Sequence, residues 1–194
     1  MSLGRDFFAR NTLVVAQALL GKKLVRHLGD EVLSGMVVET EAYFGQQDSA
    51  SHAFQGPTLR NEVMFGPAGF AYVYFVYGLH DMLNVVTETE GIPGAVLLRA
   101  IEPLQGQKRI QQLRNCRDHG LTNGPGKLCQ ALAIDKTFNG WDLTQAKILW
   151  LEDYLSIPTG SIAAGPRIGV NYASPEDQQA PWRFWVQGNQ HVSK

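Results

Sequence analysis

Cysteine is scarce in this 194-residue sequence. Cys116 and Cys129 are the only two, and their separation fits neither a zinc ligand set nor a redox pair. That excludes a disulfide framework and points to a reducing, cytoplasmic setting. Long hydrophobic runs are also missing. Residues 13–20 are apolar, but Gly21-Lys22-Lys23 closes the run and no export-type cleavage pattern follows, so no membrane partner is expected. An excess of one charge is missing too, since 17 basic side chains face 18 acidic ones for a net charge of −1. Nucleic-acid binders usually carry a basic balance, so such a function here would have to rest on a local patch. No metal spacing links the histidines: His52 stands alone, His80-Asp81 reads as loop, and His191 lies in a tail expected to fray. The sequence calls for no metal and no cofactor.

Hydrophobic residues make up 44% and charged residues 18%, the balance of a globular chain with a real core. Repeats, low-complexity tracts and linkers are absent, so residues 1–194 read as one domain. Asn11 or Thr12 caps an amphipathic helix that leads into a strand at residues 23–26. Gly29-Asp30 turns that strand into a long one at residues 32–43. Residues 45–69 read as loop, followed by strands at 70–77, 82–87 and 95–101, the last apolar enough to be buried and central. Pro103 is expected to open a helix carrying Leu104, Ile110 and Leu113. Asn123-Gly124-Pro125-Gly126-Lys127 leads into a short helix at 128–133, and strands follow at 148–151, 168–171 and 183–186. The fold class expected is α+β, with a curved, mainly antiparallel sheet and surrounding helices.

The stretch Val37-Val38-Glu39-Thr40-Glu41-Ala42-Tyr43 carries the strongest chemical signal. Period two puts Val37, Glu39, Glu41 and Tyr43 on one face, with successive side chains about 6–7 Å apart. Two carboxylates and a phenol on an apolar strand are either a solvated face or a site. A second signal is Phe70-Ala71-Tyr72-Val73-Tyr74-Phe75-Val76-Tyr77, where valine would suit a core better than tyrosine, whose hydroxyl needs a partner. Tyr43 and Tyr74 fit the wall of a pocket for a flat ring, while Tyr72 fits the core. Asn84 could serve a ligand edge or brace a turn, and Arg99 needs Glu39 or Glu41 as partner, for an ion pair or for catalysis. A carboxylate beside an aromatic slot suits hydrolysis of a glycosidic bond, and composition leaves open whether the ring is a sugar or a nucleobase. Residues 123–127 lack the glycine offset and the Ser/Thr of a P-loop, but could still hold one phosphate, or be a plain turn.

Six segments together resemble the alkyladenine (3-methyladenine) DNA glycosylase family of purine DNA glycosylases. They are Val38-Glu39-Thr40-Glu41-Ala42-Tyr43, Met64-Phe65, Tyr72-Val73-Tyr74, Tyr77-Gly78, Leu97-Leu98-Arg99-Ala100-Ile101-Glu102-Pro103-Leu104, and Gly124-Pro125-Gly126-Lys127-Leu128-Cys129-Gln130-Ala131-Leu132. The resemblance runs from about Asp6 to Ser193 and lacks the basic N-terminal extension of vertebrate members, which implies a bacterial-type protein. It implies a monomeric, monofunctional enzyme of base excision repair. Such an enzyme flips alkylated or deaminated purines out of duplex DNA and hydrolyses the N-glycosidic bond with water as nucleophile, leaving an abasic site. By position Glu41 resembles the general base and Arg99 its companion at the water. Tyr43, His52 and Tyr74 resemble the walls of the base pocket, Asn84 the residue that disfavours guanine-type amino groups, and Tyr77 the wedge that fills the gap in the duplex. Arg60, Gly126 and Lys127 are the expected backbone contacts, with Arg114 and Arg117 adding to the basic patch. His80 and Gly126 depart from the family pattern, which has tyrosine and serine there. A sugar hydrolase using Glu39 and Glu41, and a non-catalytic lesion-binding module, are the rival readings.

Overall fold

The computed structural model describes residues 1–76, 78–116 and 120–193. Its sheet has eight strands: β1 (Lys23–Leu28), β2 (Glu31–Tyr43), β3 (Ala71–Val76), β4 (His80–Val86), β5 (Ala95–Gln105), β6 (Leu149–Glu152), β7 (Ile162–Gly165) and β8 (Arg183–Val186). The path β3-β4-β5-β2-β1-β6 forms an open sheet, and every strand pairing is antiparallel. β8 joins the far half of β2 and carries β7 on its other edge. Among the described residues five α-helices complete the α+β domain: α1 (Arg5–Phe8), α2 (Thr12–Ala18), α3 (Gln107–Arg114), α4 (Pro125–Ala131) and α5 (Pro175–Gln179). None of the described helices is long and apolar enough to cross a membrane.

The main core lies where α2 covers β2 and β5 and α4 covers β4 and β5. Asn11 caps α2 by accepting from the Leu13 amide, as its short polar side chain before an apolar run predicts. Phe8, Leu19, Leu98, Ile101, Ile110 and Leu128 are fully buried there, each worth about 1.5–3 kcal/mol of transfer free energy. Thr40 sits on this face and donates its hydroxyl to the Ala16 carbonyl of α2.

Two complementary irregularities break the simple alternation of β2 and β5. Val37 pairs with Ile101 and Glu39 with Ala100, which leaves Val38 as an extra residue on β2. Glu39 and Thr40 then pair with Ala100 and Leu98, which leaves Arg99 as an extra residue on β5. Bulges of this kind re-aim side chains and recur next to active sites. Val37 consequently turns into the main core with Ala42, not onto the face of Glu39, as strict period two predicted. Val38 and Ala100 pack on the opposite face with Met36.

Four other expectations are corrected. His80-Asp81 is not loop: the two residues open β4, opposite Val76 and Phe75 of β3. Pro103 does not open a helix: β5 runs on to Gln105, with Pro103 opposite Gly35 at a register shift where a missing ladder donor costs little. The chain leaves β5 through Gly106 (φ 78°), and α3 begins only at Gln107. Residues 168–171 are a bend rather than a strand, because the Ile168 amide is taken by a side chain. The helix expected at 128–133 starts three residues earlier, with Pro125 in its first turn.

Candidate functional site

Glu39 and Glu41 are both 0% exposed, and both reach Arg99, which is nearly as deeply buried. Arg99 Nε lies 3.0 Å from Glu39 Oε1 and its Nη1 lies 3.2 Å from Glu41 Oε1. The partner left open by sequence is therefore both acids. Burial alone would pull the Arg99 guanidinium down, but Glu41 and then Glu39 outweigh it, so its pKa is raised.

The two carboxylates differ in how fully they are used. Glu39 Oε1 accepts from Arg99, from Arg183 (3.1 Å) and from the Ser193 hydroxyl (2.8 Å), and its Oε2 accepts the Ser193 amide (2.7 Å). Glu41 accepts the Ile168 amide at 2.7 Å and Arg99 through Oε1, and the Tyr43 hydroxyl at 2.9 Å through Oε2. Glu39 thus holds four donors, three of them on Oε1, and Glu41 holds three, so each acid has a single donor on its Oε2 and the two differ in where their donors lie. Glu41 lies behind the wall of a groove of about 550 Å³ that is lined by Tyr43, Arg99 and Ile168, the residues that hold it.

An aromatic slot opens from this groove. Tyr43, His52, Tyr74 and Tyr172 line both, and Tyr72, Met64 and Asn84 lie deeper. The His52 and Tyr74 rings meet at 4.4 Å in an edge-on contact, and Tyr72 and Tyr74 lie 5.3 Å apart. Tyr72 is core, as expected, yet its hydroxyl does not run to the surface. It sits 2.8 Å from His52 Nδ1 and makes Tyr72 a wall as well. Burial, helped by nearby Arg60, lowers the His52 pKa to about 4, so the ring is neutral at pH 7. Burial pushes Tyr72 up to about 12, and pushes Tyr43 and Tyr74 well above the usual tyrosine range. The wall is thus uncharged and rich in π faces. Asn84, opposite Tyr72 in the β3–β4 ladder, is buried and donates its amide to the Tyr72 carbonyl at 3.1 Å.

The remaining candidates lie around the mouth. Exposed Arg60 covers the Tyr74 ring at 5.5 Å. Lys127 is exposed in α4 and bonds Asn123 at 2.9 Å. Gly126 packs against His80, and a Cβ there would come within 2.9 Å of the ring, so the two departures from the family pattern touch. Arg114 is committed to the Leu121 carbonyl and to Gln130, which leaves it a poor member of a free basic patch. Tyr77 and Arg117 lie outside the described residues. Beside Tyr77, the turn between β3 and β4 carries Gly78 (φ 69°) and Leu79, which is 73% exposed.

Several groups around the site were not singled out by sequence. The Asp48–Arg167 ion pair, Tyr172, the Ile168 amide, Arg183 and Ser193 come from distant parts of the chain, and no local periodicity marks them. The tail expected to fray instead docks: Ser193 caps Glu39, Val192 packs beside Val38, and Asn189 bonds Glu102 at 2.7 Å.

Comparison with known proteins gives a consistent result. The profile of the Methylpurine-DNA glycosylase (MPG) family matches residues 6–190. A protein of Desulfitobacterium hafniense named "Putative 3-methyladenine DNA glycosylase" is 47% identical, over 98% of this chain and 98% of its own. Proteins of the same name from Methanocella arvoryzae (48% identical, over 99% and 96%) and Carboxydothermus hydrogenoformans (47% identical, over 100% of both) are similar to the same degree.

Proposed function

The chain belongs to the methylpurine-DNA glycosylase family, and from that premise we propose that it releases alkylated or deaminated purines from duplex DNA, with Glu41 activating the water. At the coarser level it is a DNA glycosylase of DNA repair, a hydrolase of N-glycosyl bonds.

A base inside a duplex is out of reach, so the nucleotide must be extruded, at a cost of a few kcal/mol that is lowest for damaged or mispaired bases. The slot opens from the groove of about 550 Å³, with Tyr43, His52, Tyr74 and Tyr172 lining both, so an extruded base reaches it from there. Tyr43, Tyr74 and His52 then take the flat ring. Alkylated purines are cationic; tyrosine faces attract cations, and a neutral His52 does not repel them. Such bases also leave readily without an acid. Neutral lesions such as hypoxanthine need protonation to leave, and slower action on them follows. Tyr77 is the proposed wedge. Arg60, Lys127 and Gly126 are the proposed backbone contacts, with modest affinity as the consequence of few free cations and a salt dependence set by their number.

The observation that carries the assignment of the base is where the donors of the two carboxylates lie. All three donors of Glu41 line the groove, which puts the second position on its Oε2 beside that space, whereas Arg183 and Ser193, which hold Glu39, do not line it. Water held by that site and oriented by Arg99 can lose its proton to Glu41 as it attacks the oxocarbenium-like sugar. A sugar hydrolase with paired acids is disfavoured, since both carboxylates converge on one guanidinium instead of straddling a bond. The test is single-turnover base release from duplexes carrying 3-methyladenine, 7-methylguanine, ethenoadenine or hypoxanthine, for the wild type and Glu41→Gln. Release lost and binding kept supports the reading. Release that survives moves the base elsewhere, and binding without release by the wild type leaves a lesion-binding module.

A further inference from the structure

We infer that Arg167, locked onto Asp48, is a positioning residue that aims Glu41 from two sides; the inference rests on the reading of Glu41 as the base. Both side chains of the pair are fully buried. Arg167 grips Asp48 with two parallel bonds, Nη1 to Oδ2 at 2.5 Å and Nη2 to Oδ1 at 2.8 Å. Nη1 also donates to the Ala42 carbonyl at 2.9 Å, on the residue between Glu41 and Tyr43. The guanidinium is sandwiched between the Tyr43 and Trp182 rings, 4.7 and 4.8 Å from their centres. Asp48 in turn accepts the Phe44 and Ala50 amides. One ion pair therefore ties the end of β2, the loop at 44–50 and the segment at 166–168 into a single piece.

That piece contains two of the three donors on Glu41. The Ile168 amide, 2.7 Å from Oε1, belongs to the residue next to Arg167. The Tyr43 hydroxyl, 2.9 Å from Oε2, belongs to the ring against which Arg167 stacks. Arg99 is the third donor and comes from a different strand. A buried ion pair is a weak stabiliser compared with apolar packing of the same volume, and here Arg167 Nε is buried with no partner. What the pair supplies instead is geometry. Without it the amide and the phenol could drift by an ångström, enough to turn the carboxylate away from the water.

The experiment measures single-turnover release of a cationic alkylated purine at saturating protein. Duplex affinity and thermal unfolding are measured alongside. Arg167→Met is expected to slow release about 100-fold with the Kd for lesion-bearing duplex unchanged. Arg167→Lys, which keeps a cation facing Asp48, recovers part of that rate, and Asp48→Asn loses less than Arg167→Met in the same direction. In a Glu41→Gln background Arg167→Met costs nothing further, because a residue that acts through Glu41 has nothing left to aim. Losses that multiply with Glu41→Gln would overturn the inference. So would a rate that falls only in step with affinity and melting temperature. If Arg167→Met fails to fold, Arg167→Lys and Asp48→Asn decide, and an undiminished rate in both also overturns it. A wild type that releases no base refutes the underlying reading, a result distinct from active wild type with indifferent variants.

Discussion

Glu39 and Glu41 stand two residues apart on β2 and share Arg99, but the chain closes around them differently. On the Glu39 side, β8 supplies Arg183 and the docked tail supplies both the amide and the hydroxyl of Ser193. On the Glu41 side, the chain supplies one amide, one phenol and a groove. The first arrangement is a structural ion-pair cluster held by four donors; the second has three donors, all of them lining open space. A buried carboxylate is thus not a catalytic signal by itself. What separates the two is the count of donors and where those donors face.

Exchanging each acid for its amide should split the pair most sharply. Glu41→Gln is expected to lower single-turnover base release by about 10²–10⁴-fold, the usual contribution of a general base, with the protein still folded and still bound to DNA. Glu39→Gln should act on stability instead. It leaves Arg99 and Arg183 short of a buried partner and should lower the unfolding free energy by about 3 kcal/mol, read from a denaturant titration. Its effect on release by the folded fraction should be far smaller than that of Glu41→Gln. If Glu39→Gln proves the more damaging to release, the roles drawn from donor count are reversed.

The tail gives a finer cut at the same contrast. Ser193→Ala removes one of the four bonds to Glu39 and the 3.3 Å bond that Arg99 Nη2 donates to the hydroxyl, and keeps the amide, so a loss of about 1 kcal/mol is expected, with base release nearly unchanged because Glu39 and Glu41 still hold Arg99. A loss of release here would mean that the Ser193 hydroxyl acts on the site through Arg99, and not on Glu39 alone.

Much of this was legible in the sequence where a signal repeats locally. Period two placed Glu41 and Tyr43 on one face, and tyrosine in place of valine marked Tyr74 as a candidate pocket wall. The cost of burying a guanidinium points from Arg99 to its acids in the sequence itself. What failed to read has a common physical cause. The face of Val37 depends on Val38 and Arg99 bulging in partner strands, a matter of register between segments 60 residues apart in sequence. The bend at Ile168 exists because Glu41, 127 residues away, takes its amide; an apolar run by itself looks like a strand. Arg167 and Asp48, 119 residues apart, are unremarkable until the fold joins them. Even the tail needed the knowledge that Glu39 had room for two more donors.

The smallest expected effect separates the two sides by pH. The slot holds His52, whose folded-state pKa is lowered to about 4 by burial and then by Arg60, against about 6.5 in the unfolded chain. A lowered histidine pKa is a penalty on the folded state in acid. Above pH 6.5 the ring is neutral in both states and contributes no pH dependence. As the pH falls from 6.5 toward 4 the unfolded chain takes up the proton first, so stability declines; below about 4 both states are protonated and the decline stops. Partial exposure of the ring to solvent moderates the size of this effect, which makes it a change of slope rather than a collapse. His52→Gln should therefore flatten the fall in unfolding free energy between pH 7 and pH 5, measured by denaturant titration at several pH values. Ser193→Ala, on the other side of Arg99, should shift that curve downward without changing its slope. An unchanged slope in His52→Gln would mean that the ring is hydrated or rearranged in solution, and that the slot wall carries positive charge in mild acid, where it would repel the cationic purines it is proposed to hold.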